Sequence, residues 1–360
     1  MLTTNYYDDY RGTGADKLKF ALMPFVCFAC FGCPTQYGSY IKVLSGFVAP
    51  AFFILCGFFM FGKNSEERLD NIKRGIKRSA AMFIPMFIVF LAINAVYYYF
   101  VNGINVFPTL LGKRKLFEIF VLSYWPFDMG ASIWFIQDLL YVYIFLFLLE
   151  KIKLFKLYKV IMVLLLLATP FVGEFAKAVH FRFLGYNYIP IGFFTCALPF
   201  VLLGAFLREK FKQVLMTSTG LFYFFAIAGF IAAFAEMELL SKHNLLAYTG
   251  QSIGLNLAAV GLCCIAFLNA ESRENFFSKH GASYAKRIYI LSQPVAFALL
   301  VPAQFFSLKF LLIVRDAGAI IVYPVCLLIA YIIGRIKANV LRKKRLKERL
   351  HAVSPKKTEE

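Results

Sequence analysis

The stretch VAPAFFILCGFFMFGK, Val48 to Lys63, runs without a charge until its last residue. A helix needs about 20 mostly apolar residues to cross the hydrocarbon core of a bilayer, and residues 43–61 supply such a run. A charged cluster follows: Lys63, Arg68, Lys73, Arg74, Lys77 and Arg78, with Glu66, Glu67 and Asp70 interspersed. The alternation of long apolar run and short charged cluster repeats along the whole chain. Ten segments read as spans, near 18–33, 43–61, 79–101, 133–149, 160–175, 191–207, 214–235, 250–269, 288–305 and 317–336. Pro170 and Pro199 make the fifth and sixth of them the weakest. Helices are the form such runs must take, because an open strand would leave backbone groups unpaired in lipid.

Composition agrees. Of 360 residues, 60% are hydrophobic, 16% charged and 43 are Phe, and the mean hydropathy is +0.68. A soluble protein is about 25% charged. The net charge of +19 does not indicate a nucleic-acid partner, since such proteins spread their basic residues over a polar face. Here the charges sit between apolar runs. The reading is an all-α, polytopic membrane bundle of about ten helices, with no internal repeat and no linker that divides it.

Orientation follows from the Lys and Arg residues of the connections. Taking alternate connections from the N-terminus, 30 basic residues fall on one side and 9 on the other. The richer side is cytosolic, which places both termini there and the chain in the plasma (inner) membrane. Residues 1–17 are polar and mixed in charge, so no signal peptide is expected. The C-terminal cluster Arg342, Lys343, Lys344, Arg345, Lys347 and Arg349 follows the last span. Anionic lipid headgroups attract such a cluster by roughly 1 kcal/mol per basic residue near the surface.

Ionisable groups at membrane depth are costly and mark functional positions. Asp138 is the clearest, in the run Trp134-Phe135-Ile136-Gln137-Asp138-Leu139, one helical turn beyond Trp134. Glu174, Glu236 and Glu238 lie at outer span ends with water in reach. Cys27, Cys30 and Cys33 track one face of the first span; with no fourth thiolate in place, the expectation is core packing and no metal. The histidines, His180, His243, His280 and His351, all fall outside span centres. His180, with Glu174 and Arg182 nearby, is the one outer-face group resembling an acid/base site.

Four stretches resemble the acyltransferase-3 family of multi-span membrane acyltransferases, in the same order along the chain. Asp16-Lys17-Leu18-Lys19 resembles the family's basic opening of its first helix. Val48 to Lys63 is similar to its Pro-x-Phe-Phe-x-x-Ser-Gly-Tyr/Phe element. IWFIQDLL, Ile133 to Leu140, resembles Trp-Phe-Leu-Arg-Asp-Leu. GASYAKRIYILSQPV, Gly281 to Val295, resembles Gly-x-x-Ser-x-x-Ile-Tyr-Leu-x-His-x-Pro. FFTCALPFVLLGAFLREK adds a Phe-rich span ending in Gly and basic residues. The resemblance implies a transmembrane domain over 1–336 followed by a basic cytosolic tail, 337–360.

It also implies chemistry: an acyl group, taken as acetyl, passes from cytosolic acyl-coenzyme A to a hydroxyl of a cell-envelope glycan or lipid-linked sugar. Arg74 and Arg78 would grip the coenzyme phosphates, while Lys19, Cys30, Asp138 and Ser292 would line the reaction site. This chain departs from the family where its histidines belong. The family places a His eleven positions after the basic residue; counting from Lys19 reaches Cys30. The His of the last element is Ser292, the Ser of the second is Cys56, and the Arg before Asp138 is Gln137. A missing general base costs about 10²- to 10⁴-fold. Cys30 as a thiolate acyl carrier is one substitute chemistry. The alternative is a family member without activity that serves as a membrane binding, scaffold or translocation protein.

Overall fold

The computed structural model describes residues 12–31, 38–62, 64–102, 112–121, 123, 133–181, 192–246, 251–269, 273–306 and 308–353. Among them every regular element is helical. In chain order these are α1 (Thr13–Phe31), α2 (Gly38–Leu44), α3 (Val48–Met60), α4 (Ser65–Asn102), α5 (Lys113–Phe120), α6 (Ile133–Lys151), α7 (Tyr158–Val172), α8 (Leu198–Glu209), α9 (Phe211–Met216), α10 (Thr219–Lys242), α11 (Ile253–Leu268), α12 (Phe276–Phe306) and α13 (Leu308–Val353). Each of the ten apolar segments overlaps one or more of them. Five stretches are long and apolar enough to cross a membrane: Ser65–Tyr99, Ile133–Lys151, Phe155–Val172, Thr219–Lys242 and Ala317–Ile336. The outer faces of these helices are apolar, with Ile84, Ile88, Leu164, Leu167, Ile227 and Ile231 exposed. In water this would be a continuous aggregation surface; against lipid tails it is solvated. The chain is a helical membrane bundle.

Lipid is as apolar as leucine, so helix association in it depends on close backbone approach at small residues. The crossing of α3 and α8 shows this. A Cβ added at Gly57 would strike the Val201 backbone, and one at Gly204 the backbone of Ile54 and Phe58. Gly229 and Gly254 play the same part between α10 and α11, each against the other helix's main chain. Aromatic rings fill the space between the close crossings. Phe58 stacks on Phe267 with centroids 3.8 Å apart, and Phe53 stacks on Phe135 at 4.3 Å.

Three local features differ from the sequence reading. Pro199 does not break its segment, because it stands in the first turn of α8, where a missing N–H costs nothing. The irregularity instead precedes it, as a π turn over Phe193–Ala197. The charged segment after Lys63 is no loop: it forms the first turns of α4, a 38-residue helix about 57 Å long. Likewise α13 carries the last span into the basic tail as one helix of 46 residues.

Candidate active site

A series of pairwise electrostatic influences links four side chains on α1, α3, α4 and α6. Lys19, in the second turn of α1, pairs with Asp16 at 2.8 Å and lies 5.5 Å from the centre of the Phe59 ring. Its charge reaches the Cys56 thiol on α3. Cys56 and Arg78 are in turn within electrostatic reach of the Tyr143 hydroxyl on α6. The crossing of α4 and α6 is made close by Gly75, where a Cβ would meet the Tyr143 ring at 2.8 Å. Arg74 and Arg78 flank that glycine and are exposed. Two exposed guanidiniums one turn apart have the donors that a phosphate group would require.

Arg68, in the same basic cluster, has a different part. Its guanidinium forks onto Glu150, Nε to Oε2 at 3.0 Å and Nη2 to Oε1 at 2.8 Å. Ser65 adds a hydroxyl donor to the same carboxylate. The planar group also rests 4.3 Å from the centre of the Phe155 ring. This pair ties α4 to the end of α6 and leaves no charge over for a ligand.

Asp138 lies in the second turn of α6 with no exposed surface. Among the described residues, neither carboxyl oxygen has a hydrogen-bond partner. The Ser123 hydroxyl is within reach but outside hydrogen-bonding geometry, and it too is buried and unpartnered. Ser123 has φ of 54°, a left-handed backbone conformation that is uncommon and strained for a non-glycine residue. Cys196, in the π turn before α8, is close enough to feel the Asp138 charge. The neighbouring Gln137 points elsewhere, donating to the Ile119 carbonyl at 2.5 Å. Where the family's Arg would stand, this chain therefore has an amide tied to the backbone of α5.

Ser292 is fully buried on α12, and its hydroxyl donates to the Tyr289 carbonyl one turn back at 2.9 Å. The Tyr289 ring meets Phe135 at 5.5 Å, which links this turn to the Phe53–Phe135 stack. Cys30 lies in the last turn of α1, and its side chain falls outside the described residues. Among the described residues no hydrogen bond or ion pair joins any two of Lys19, Asp138 and Ser292. Along α6, five residues separate Asp138 from Tyr143, about 7.5 Å of rise and 140° around the axis. Tyr143 and the buried carboxyl thus lie on different faces of one helix.

Two features escape sequence reasoning. Ser123 carries no signal, since its relation to Asp138 arises from tertiary packing alone. Glu174 was expected near water but is fully buried, within electrostatic reach of Glu236 on α10. Glu236 accepts from the Gly254 amide at 3.1 Å, beside buried Gln251 and Ser252. His180 is exposed while Glu174 is buried, and Arg182 lies outside the described residues.

No curated protein and no solved structure matches the chain. The family model described as an acyltransferase domain, acyltransferase-3, matches residues 6–335. With nearly the whole bundle inside that match, including the arginine pair and the buried carboxyl, the chain belongs to the acyltransferase-3 family of membrane proteins.

Proposed function

We propose that the protein transfers an acyl group, taken as acetyl, from cytosolic acyl-coenzyme A to a hydroxyl of a cell-envelope glycan or lipid-linked sugar. The observation that carries this reading is the exposed pair Arg74 and Arg78 on α4, with Arg78 linked electrostatically to Tyr143, Tyr143 to Cys56 and Cys56 to Lys19. Arg74 and Arg78 hold the coenzyme phosphates, while Lys19, paired with Asp16, lines the reaction site. The positive-inside bias puts that arginine pair, and both termini, on the cytosolic side of the plasma (inner) membrane. The acceptor enters from the other side. Asp138 and Ser292 sit deeper, where reaction with the acceptor takes place.

The basic end of α13 serves anionic lipid headgroups. The cluster Arg342, Lys343, Lys344, Arg345, Lys347 and Arg349 begins about 9 Å beyond Ile336 along the helix, near the screening length of about 8 Å.

The missing histidine positions, now Cys30 and Ser292, favour a second reading: a binding or scaffold protein without activity. Titration of the purified protein with acetyl-coenzyme A separates the two. The enzyme reading expects saturable binding that Arg78→Ala weakens; no saturable binding overturns it.

A further inference from the structure

The geometry points to Asp138 and Ser123 as the seat of the acceptor hydroxyl, with Asp138 as the base that removes its proton. This rests on the acyltransferase reading above. Three polar atoms, both oxygens of Asp138 and the hydroxyl of Ser123, are buried together and unpartnered among the described residues. Such burial costs on the order of 1–3 kcal/mol per neutral group and more for a charge. Elsewhere on the same helix the chain satisfies a carboxylate fully, with Arg68 and Ser65 around Glu150. A carboxylate offers about four acceptor sites, so even a small turn of the Ser123 hydroxyl would leave it short of donors. The missing complement is one O–H group that donates to Asp138 and accepts from Ser123. Backbone strain at Ser123 is in keeping with a residue held for a ligand rather than for packing.

The step balances without a histidine. The acceptor oxygen forms a bond to the thioester carbonyl carbon while its proton passes to a carboxylate oxygen of Asp138. The carbon–sulfur bond breaks, and its electron pair leaves on the coenzyme sulfur. Asp138 then returns the proton to that thiolate, which departs as the free thiol. Ser123 touches the acceptor oxygen and fixes its direction. The assignment also explains why the positions of the family histidines can hold Cys30 and Ser292, since neither is asked to take a proton.

The test uses membrane vesicles from the source cell, everted, lacking the native protein and supplied with each full-length variant. [14C]acetyl-coenzyme A is added and label is counted in the glycan and lipid fractions. Wild type should transfer label. Asp138→Asn should fall by about 10²-fold or more, Asp138→Glu should recover part of that loss, and Ser123→Ala should fall about tenfold. Each purified variant should bind acetyl-coenzyme A as wild type does, which shows that it is folded. Asp138→Asn transferring at the wild-type rate overturns the inference and leaves the enzyme reading intact. No transfer by wild type overturns the enzyme reading, and the base goes with it. If Asp138→Asn fails to bind the coenzyme, the decision passes to Ser123→Ala: binding intact with full transfer overturns the seat, and binding intact with reduced transfer supports it.

Discussion

Two carboxylates twelve residues apart on α6 meet opposite fates. Glu150, at the C-terminal end, accepts a bidentate Arg68 fork and a Ser65 hydroxyl. Asp138, three turns earlier, is fully buried and has no geometric partner among the described residues. The first arrangement is a fastening, because it joins two helices and is complete without a ligand. The second is incomplete, and a protein keeps an incomplete buried polar site when something else completes it. The same contrast divides the basic cluster of α4. Arg68 is consumed by structure, whereas Arg74 and Arg78 stand exposed.

The largest effect should come from Asp138→Asn, which lowers transfer about 10²-fold or more while the thermal midpoint in detergent stays at or above that of wild type. Next, Arg68→Ala should destabilise the bundle by about 3 kcal/mol, because it leaves Glu150 buried without its cation; a melt followed by circular dichroism measures it. A wild-type melt for Arg68→Ala would mean that the fork is ornamental. Arg78→Ala should leave the melt unchanged and weaken acetyl-coenzyme A binding about tenfold, the scale of one charge-assisted contact. Calorimetric titration checks that.

The smallest effect is one of pH. Burial works to raise the pKa of Glu209, but hydrogen bonds from Lys159 and Tyr158 outweigh it and hold the carboxyl below its ordinary value. Its contribution is thus present above the unfolded pKa of about 4.3 and disappears as pH falls through the lower folded value. Lys159 is exposed and Glu209 is partly so, so solvent screens the pair and the loss should be slight. Glu209→Gln should remove it, seen as a flatter melt profile in the acid range.

The fold was largely legible because membrane helices announce themselves through uninterrupted apolar runs such as Val48 to Met60. Asp138 was legible for the same reason, as a charge where none is cheap. What the sequence hid was set by packing across long separations. Nothing in the cluster from Lys63 to Arg78 distinguishes Arg68 from Arg74, since Glu150 lies more than eighty residues away. Ser123 looks like any loop serine until α6 places Asp138 beside it. Glu174 reads as solvated from its position at a span end, yet α10 and the turn before α11 close over it. Pro199 reads as a breaker until its place in the first turn of α8 is known.

The central claim is that this membrane bundle moves an acyl group with Asp138 handling the acceptor. Paired measurement of label transfer and coenzyme binding, wild type beside Asp138→Asn, tests it most directly. The account predicts equal saturable binding of acetyl-coenzyme A by both proteins and transfer by wild type alone. Equal transfer by both, or no binding by wild type, would contradict it.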